Sequence, residues 1–394
     1  MATSQETLYL QILNDGTIWC YQDNEVPRDD QKNPLFKPVT TVEDINRCLK
    51  VMNSKYKHSI RQRALQEAIP TALVNLTLNC RDDPNIRKIS PTLVNLITLD
   101  CSKCPKLRSI PKTLVNLTTL DCYDCRNLQA IPETLVNLTK LNCYDCPNLQ
   151  AIPKTLVNLT ALNCGSCLKL QSIPETLVNL TKLICGYWPY IRTIPSTLVN
   201  LTILDCRGCF DLRVIPSTLV NLTMLHCSGC PKLQEIPSTL VNLTTLHCGS
   251  CTNLQEIPST LVNLTELNCG SCINIRSIPE TLVNLTELNC WYCPNIQVIP
   301  LTLVNLTELN CWYCPNIKVI PLTLVNLTEL KSAEGPFLKI PSDPIYQENV
   351  RKLITLQRRV KKKILANRII KLAKSEGFIE AWWHPDSKGG FLAK

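Results

Sequence analysis

Between residues 69 and 330 the apolar positions follow one order that returns every 21 residues. A single repeat runs Leu138, Leu141, Cys143, Cys146, Leu149, Ile152 and Leu156, with mostly polar residues between. An Ile recurs at this interval from Ile89 to Ile320, and a Leu-Val-Asn-Leu block appears thirteen times from Leu73 to Leu327. Around Leu141 and Cys143 apolar and polar residues alternate, which is the period of a strand buried on one face. Leu141 and Cys143 are therefore expected to point inward, and Lys140, Asn142 and Tyr144 outward. The Pro after each Ile, as at Pro153, bars a regular helix beyond it, and the residues left before the next strand are too few for one. The return path is expected to be extended or a short 3-10 turn. A repeat this small cannot enclose its own Leu, Ile and Cys, so neighbours must stack strands about 4.8 Å apart and share one continuous core.

The pattern L-x-x-L-x-C-x-x-C-x-x-L-x-x-I-P-x-T-L-V-N resembles the leucine-rich repeat. Cys143 and its equivalents replace the third Leu, Cys146 and its equivalents replace the usual Asn, and one extra residue precedes the next Leu. The Cys-x-x-Leu step resembles the cysteine-containing subtype, while the short repeat with Ile-Pro is similar to bacterial and viral short-repeat types. Near-identical tandem repeats flanked by a basic helix and a Trp-rich tail also resemble repeat proteins encoded by giant DNA viruses. The resemblance implies an α/β-type solenoid, a parallel-sheet horseshoe or arc with a non-helical convex side and helical caps. It also implies a non-enzymatic scaffold that binds a protein partner on the concave face of the sheet.

The ends depart from the repeat and define three regions. Residues 1–68 are expected to form an amino-terminal cap: a strand-turn-strand from Leu8 to Tyr21 around Asn14-Asp15-Gly16, then a helix from Val42 to Ala68 capped by Thr41. Residues 69–330 are the solenoid. Residues 331–394 are read as a basic helical cap, started by Asp343-Pro344 and running from Ile345 to about Lys374, with a Trp-containing tail. A solenoid needs such ends, because an uncovered terminal repeat exposes its core.

Composition sharpens this in three places. No apolar run is long enough to span a membrane, and Met1–Leu13 lacks the charge and cleavage pattern of a secretion signal. With 24 Cys, best read as buried free thiols, the expectation is a reducing compartment, cytoplasmic or nuclear. Charge is uneven: residues 331–394 hold 14 Lys or Arg against 6 Asp or Glu, so they supply +8 of the net +9. Within them Arg358, Arg359, Lys361, Lys362, Lys363, Arg368, Lys371 and Lys374 share the expected helix. This helix supports an alternative function, association with nucleic acid or another acidic surface.

The repeating Cys and His are the residues with potential for chemistry. Cys-x-x-Cys occurs ten times, from Cys101/Cys104 to Cys311/Cys314, with a spacing like that of zinc ribbons. The spacing follows automatically from the period, and Asp83 and Trp188 break the second column, so packing is the expected role and no metal or cofactor is expected. His226 and His247 hold the same outward position in consecutive repeats, with Asp205 and Asn268 flanking them, yet no third strong ligand is assured. Inward Cys and outward His cannot form a nucleophile pair, so enzyme activity is not expected. The chain is expected to be monomeric.

Recognition is expected where the repeats differ, at their third, fifth, seventh and eighth positions. The middle repeats carry small residues there, as at Gly165-Ser166, Gly249-Ser250 and Gly270-Ser271. Two later repeats carry Glu287, Asn289, Trp291, Tyr292 and Glu308, Asn310, Trp312, Tyr313. Trp and Tyr are the residues most enriched in binding hot spots. These eight, with His226 and His247, are the candidate partner-binding residues.

Overall fold

A strand forms wherever one Leu stands between two outward-facing residues, and Leu120, Leu141 and Leu288 are each buried at the centre of a three-residue strand. The computed structural model describes residues 8–12, 18–22, 37–38, 76–91, 93–317, 320–321 and 323–332, with isolated positions between 352 and 363. The helix expected over 42–68 lies outside the described residues. Of the one expected over 345–374, Lys352, Thr355, Leu356, Arg358, Arg359, Lys362 and Lys363 are described, and each is helical and exposed.

The chain divides into two compact units, Met1–Leu233 and Gln234–Lys394. In the first, β1 (Leu8–Ile12) pairs antiparallel with β2 (Ile18–Gln22), and β3 (Lys37–Pro38) lies on the other edge of β1. A parallel ladder follows in chain order: β4 (Leu76–Asn79), β5 (Leu96–Asp100), β6 (Thr119–Asp121), β7 (Lys140–Asn142), β8 (Ala161–Asn163), β9 (Lys182–Ile184), β10 (Ile203–Asp205) and β11 (Met224–His226). The second unit continues the pattern with β12 (Thr245–His247), β13 (Glu266–Asn268), β14 (Glu287–Asn289), β15 (Glu308–Cys311) and β16 (Glu329–Ser332). Register is fixed by the period, so Leu120 pairs with Leu141 and Leu288 with Leu309. The irregularity between Leu76 and Thr77 marks where the regular repeat begins.

Behind each strand the return path is a series of tight turns rather than a helix. In one repeat Leu128 N–H donates to Cys125 O (3.0 Å), Leu135 N–H to Pro132 O (3.3 Å) and Leu138 N–H to Leu135 O (3.1 Å). These three-residue steps bring Leu128, Ile131, Leu135 and Leu138 inward beside Cys122 and Cys125, all of them buried.

Three polar ladders tie each repeat to the one before it. Thr134 Oγ1 donates to Lys112 O (2.5 Å), Asn137 Nδ2 to Val115 O (2.9 Å) and Thr139 Oγ1 to Thr118 O (3.1 Å). A buried Asn in the Leu-Val-Asn block, paired to its stacked neighbours, would also satisfy the period. The structure instead leaves this Asn exposed and spends its amide on backbone one repeat back, which makes it a fold-forming residue all the same.

The thiols form two further ladders. Cys122 Sγ donates forward to Asn142 O (3.3 Å) and Cys125 Sγ backward to Cys101 O (3.0 Å). Every Cys from Cys80 to Cys314 is buried and unpaired by disulfide. Hydrogen bonding with Cys125 and burial push the Cys101 thiol well above its ordinary range, which keeps it protonated and unreactive. Trp188, standing in the second column, is fully buried and donates its Nε1–H to Leu170 O (2.7 Å).

Candidate functional site

After each strand the chain must turn so that the second Cys points inward, and the residue at the bend adopts a left-handed backbone. In the first unit Gly208 and Gly229 take this conformation without cost, and Asp82, Lys103, Asp124, Asp145, Ser166 and Tyr187 take it as well. In the second unit Ser250 and Ser271 precede Tyr292 (φ 54°) and Tyr313 (φ 55°) at the same bend. A bulky residue there is strained by about 1–3 kcal/mol, and such strain concentrates at functional sites.

The bend is braced by the fifth position of the repeat. Asn268 Oδ1 accepts the Gly270 N–H (3.1 Å), Asn289 Oδ1 the Trp291 N–H (3.1 Å) and Asn310 Oδ1 the Trp312 N–H (3.2 Å). Because each Oδ1 is occupied by a backbone donor, the amide orientation is determined. Among the described residues the Nδ2 groups of Asn268, Asn289 and Asn310 bond to nothing, so the sheet face carries a row of three free donors.

Beside that row the register sets Glu266, Glu287, Glu308 and Glu329 opposite one another on β13 to β16. The two rows line a cleft of about 180 Å³. The outer carboxylates are paired, Glu266 with His247 Nε2 (2.5 Å) and Glu329 with Lys331 Nζ (2.6 Å). Glu287 and Glu308 have no ion-pair partner among the described residues. Desolvation, reinforced by the charges of Glu266 and Glu308, raises the Glu287 carboxyl above the usual carboxylate range.

On the other side of the Asn row stand the aromatics. Trp291, Tyr292 and Tyr313 are 42%, 50% and 52% exposed. Ring contacts run in sequence from Trp291 to Tyr292 (5.7 Å), Tyr292 to Tyr313 (6.4 Å) and Tyr313 to Trp312 (5.9 Å), so the tyrosines join the patch. Trp312 is half-buried, and its Nε1–H is buried with no acceptor among the described residues. An orphaned donor costs about 1–3 kcal/mol, a penalty that the Gly or Ser found at this position in other repeats avoids. The fold alone does not ask for these rings.

The structure thus brings together Glu287, Asn289, Trp291, Tyr292, Glu308, Asn310, Trp312 and Tyr313, as three parallel rows. It does the same for Asn268, which sequence reasoning placed only beside the His pair, and for Glu266 and Glu329, which it passed over. Their signal was available: Glu stands at the third position of four successive repeats. His247 enters this cluster through Glu266. His226 belongs to the first unit, where its Nδ1 lies 3.1 Å from Arg207 Nη2, and Arg207 is itself held by Asp205 (2.6 Å). Among the described residues no group of three or more His, Cys, Asp or Glu is arranged to hold a metal, and no helix is long and apolar enough to cross a membrane. Of the basic candidates, Arg358, Arg359, Lys362 and Lys363 are exposed. Lys361, Arg368, Lys371 and Lys374 lie outside the described residues.

No protein-family model matches the chain, and no curated protein matches it. Among solved structures the functional domain of InlJ from Listeria monocytogenes, described as including a cysteine ladder, superposes with a TM-score of 0.54 at 21% identity. The match covers 66% of this chain and 63% of that domain, so the chain spans less than two thirds of its neighbour's length. The fold is a parallel solenoid of the leucine-rich-repeat kind. Two further similarities are to YopM, a leucine-rich effector protein from Yersinia pestis (TM-score 0.44, 18% identity, 78% of this chain and 98% of that one), and to a plant receptor-kinase ectodomain. The latter, GASSHO1/SCHENGEN3 from Arabidopsis thaliana, was solved with CASPARIAN STRIP INTEGRITY FACTOR 2 (TM-score 0.22, 18% identity, 73% and 64%).

Proposed function

We propose that this chain is a non-enzymatic scaffold that binds a protein partner on the exposed sheet face of its second unit. Trp291, Tyr292 and Tyr313 are the anchors and Trp312 is their support. The observation that carries this reading is the continuous run of four rings, three of them exposed and two on left-handed residues, at positions where the two preceding repeats place Gly and Ser. Contiguous aromatic surface is unusual on a soluble protein without a ligand, and Trp and Tyr contribute most per residue to protein interfaces. Nothing in the fold requires rings there, since the same bend is made by Gly208, Gly229, Ser250 and Ser271.

The reading is tested with Trp291→Ala combined with Trp312→Ala. Capture of a partner identified by cross-linking should weaken by about 2 kcal/mol or more, as for hot-spot residues. The melting temperature should change little for Trp291→Ala alone, whose ring is largely outside the core. Unchanged capture by the double variant removes this face from consideration.

A further inference from the structure

The three rows differ in chemistry, and together they describe what fits. The Glu row accepts hydrogen bonds and carries negative charge, the Asn row donates through Nδ2, and the aromatic row is apolar. Successive outward positions on one strand lie about 6.6–6.8 Å apart, so the rows run side by side across the strands with the Asn row in the middle. Four like charges in register oppose folding, because like charges directly opposite on neighbouring strands are destabilising. Among the described residues only the outer two have a partner, His247 for Glu266 and Lys331 for Glu329. The inner pair, Glu287 and Glu308, stands about one strand spacing of 4.8 Å apart, a separation that one guanidinium fork spans.

We propose, resting on the scaffold reading above, that the partner presents an extended segment in which basic and apolar side chains alternate, laid across β13 to β16. An extended chain sends alternate side chains to opposite sides. Its backbone carbonyls then lie over the Nδ2 donors of Asn268, Asn289 and Asn310. Its Arg or Lys side chains reach the Glu row, and its apolar ones reach Trp291, Tyr292 and Tyr313. From Glu266 to Glu329 is three strand spacings, about 14 Å, the reach of four to five extended residues. Charge complementarity selects this occupant over a nucleic acid, whose phosphates the Glu row repels.

The test uses the full chain and a short fluorescent peptide alternating Arg and Leu, with a second peptide carrying citrulline in place of Arg. The Arg peptide should bind at least about tenfold more tightly than the citrulline peptide, and its affinity should fall as salt rises. Glu287→Gln with Glu308→Gln should lower Arg-peptide affinity by about tenfold and flatten the salt dependence. Glu235→Gln with Glu256→Gln, exposed acids of the same unit on the return side, should leave it unchanged. Equal binding of the two peptides, or equal losses from the two Glu pairs, overturns the proposal. So does preferential capture of a single-stranded oligonucleotide through the same residues. If the Trp variants lose binding while Glu287→Gln/Glu308→Gln does not, the scaffold reading stands and the basic segment is rejected. If neither pair matters, both fall.

Discussion

The sheet faces of the two units are built on the same backbone and solve the problem of exposed charge in opposite ways. In the first unit the third positions run Thr98, Thr119, Lys140, Ala161, Lys182, Ile203 and Met224, so charged residues are separated by neutral ones. Of its acids, Asp124 pairs with Arg126 (2.7 Å) and Asp205 with Arg207 (2.6 Å), while Asp100 and Asp121, opposite one another, instead accept hydrogen bonds from Ser102 N–H and from Tyr123 N–H and Asn142 Nδ2. Its aromatic pair, Tyr123 and Tyr144, stacks at 5.8 Å, and the Tyr144 ring lies over Gly165, where an added Cβ would come within 3.0 Å. In the second unit the same column is Glu four times in register, two of them without a counter-ion among the described residues, beside rings that contact one another across an exposed surface. Since both faces rest on equivalent buried columns, the second face is not a consequence of folding.

The comparison breaks most visibly if core and face are confused. Leu288 is buried at the centre of β14, between Glu287 and Asn289. Leu288→Ala should cost about 2–5 kcal/mol of stability, measured by denaturant unfolding, and should abolish binding only through loss of structure. Face substitutions one residue away should do the reverse. A small stability loss for Leu288→Ala would mean that the central Leu column does not carry the fold.

A smaller effect sharpens the account of the bend. Asn tolerates a left-handed backbone where Tyr is strained. Tyr292→Asn should therefore leave the melting temperature unchanged or slightly raised while weakening partner binding by about 1 kcal/mol or more. Clear destabilisation would show that the ring is packing, and the strain would then need no functional explanation.

The smallest effect concerns charge. The folded-state pKa of Glu287 is raised, so ionising it works against the fold. The contribution is favourable below the ordinary carboxylate pKa and is lost as pH rises through the raised value. Glu287→Gln should accordingly be slightly more stable than the parent at neutral pH, by less than about 0.5 kcal/mol. The difference should vanish as the medium is acidified below the carboxylate range. A variant less stable than the parent at neutral pH would mean that the carboxylate row holds the sheet together.

Much of this was legible in the spacing of residues. Period, strand position, inward Cys columns and a helix-free return all follow from where Leu, Cys, Ile and Pro stand, because burial and the missing proline donor constrain them directly. Side-chain choices with two physically equivalent answers were not legible. Asn137 satisfies its amide either buried beside its stacked copies or exposed against Val115 O, and only coordinates decide. Likewise Asn289 reads as a generic polar residue until the Trp291 N–H is seen to occupy its Oδ1. The aromatic candidates were found from residue type alone, while Glu266 and Glu329 were missed because a charge on a strand is so often merely solvated.

The backward reach of each repeat has a consequence for how the molecule changes over generations. Asn284 bonds Val262 O, Thr286 bonds Thr265 O and Cys293 bonds Cys269 O, and none of these reaches beyond the adjacent repeat. Excising or duplicating a whole 21-residue stretch leaves every such bond with an equivalent partner, whereas a gain or loss of any other length strands them all. Unequal recombination between near-identical copies is thus filtered by hydrogen-bond phase. The number of rungs under the acidic row can drift in whole steps, lengthening or shortening that row, without the architecture having to be reinvented.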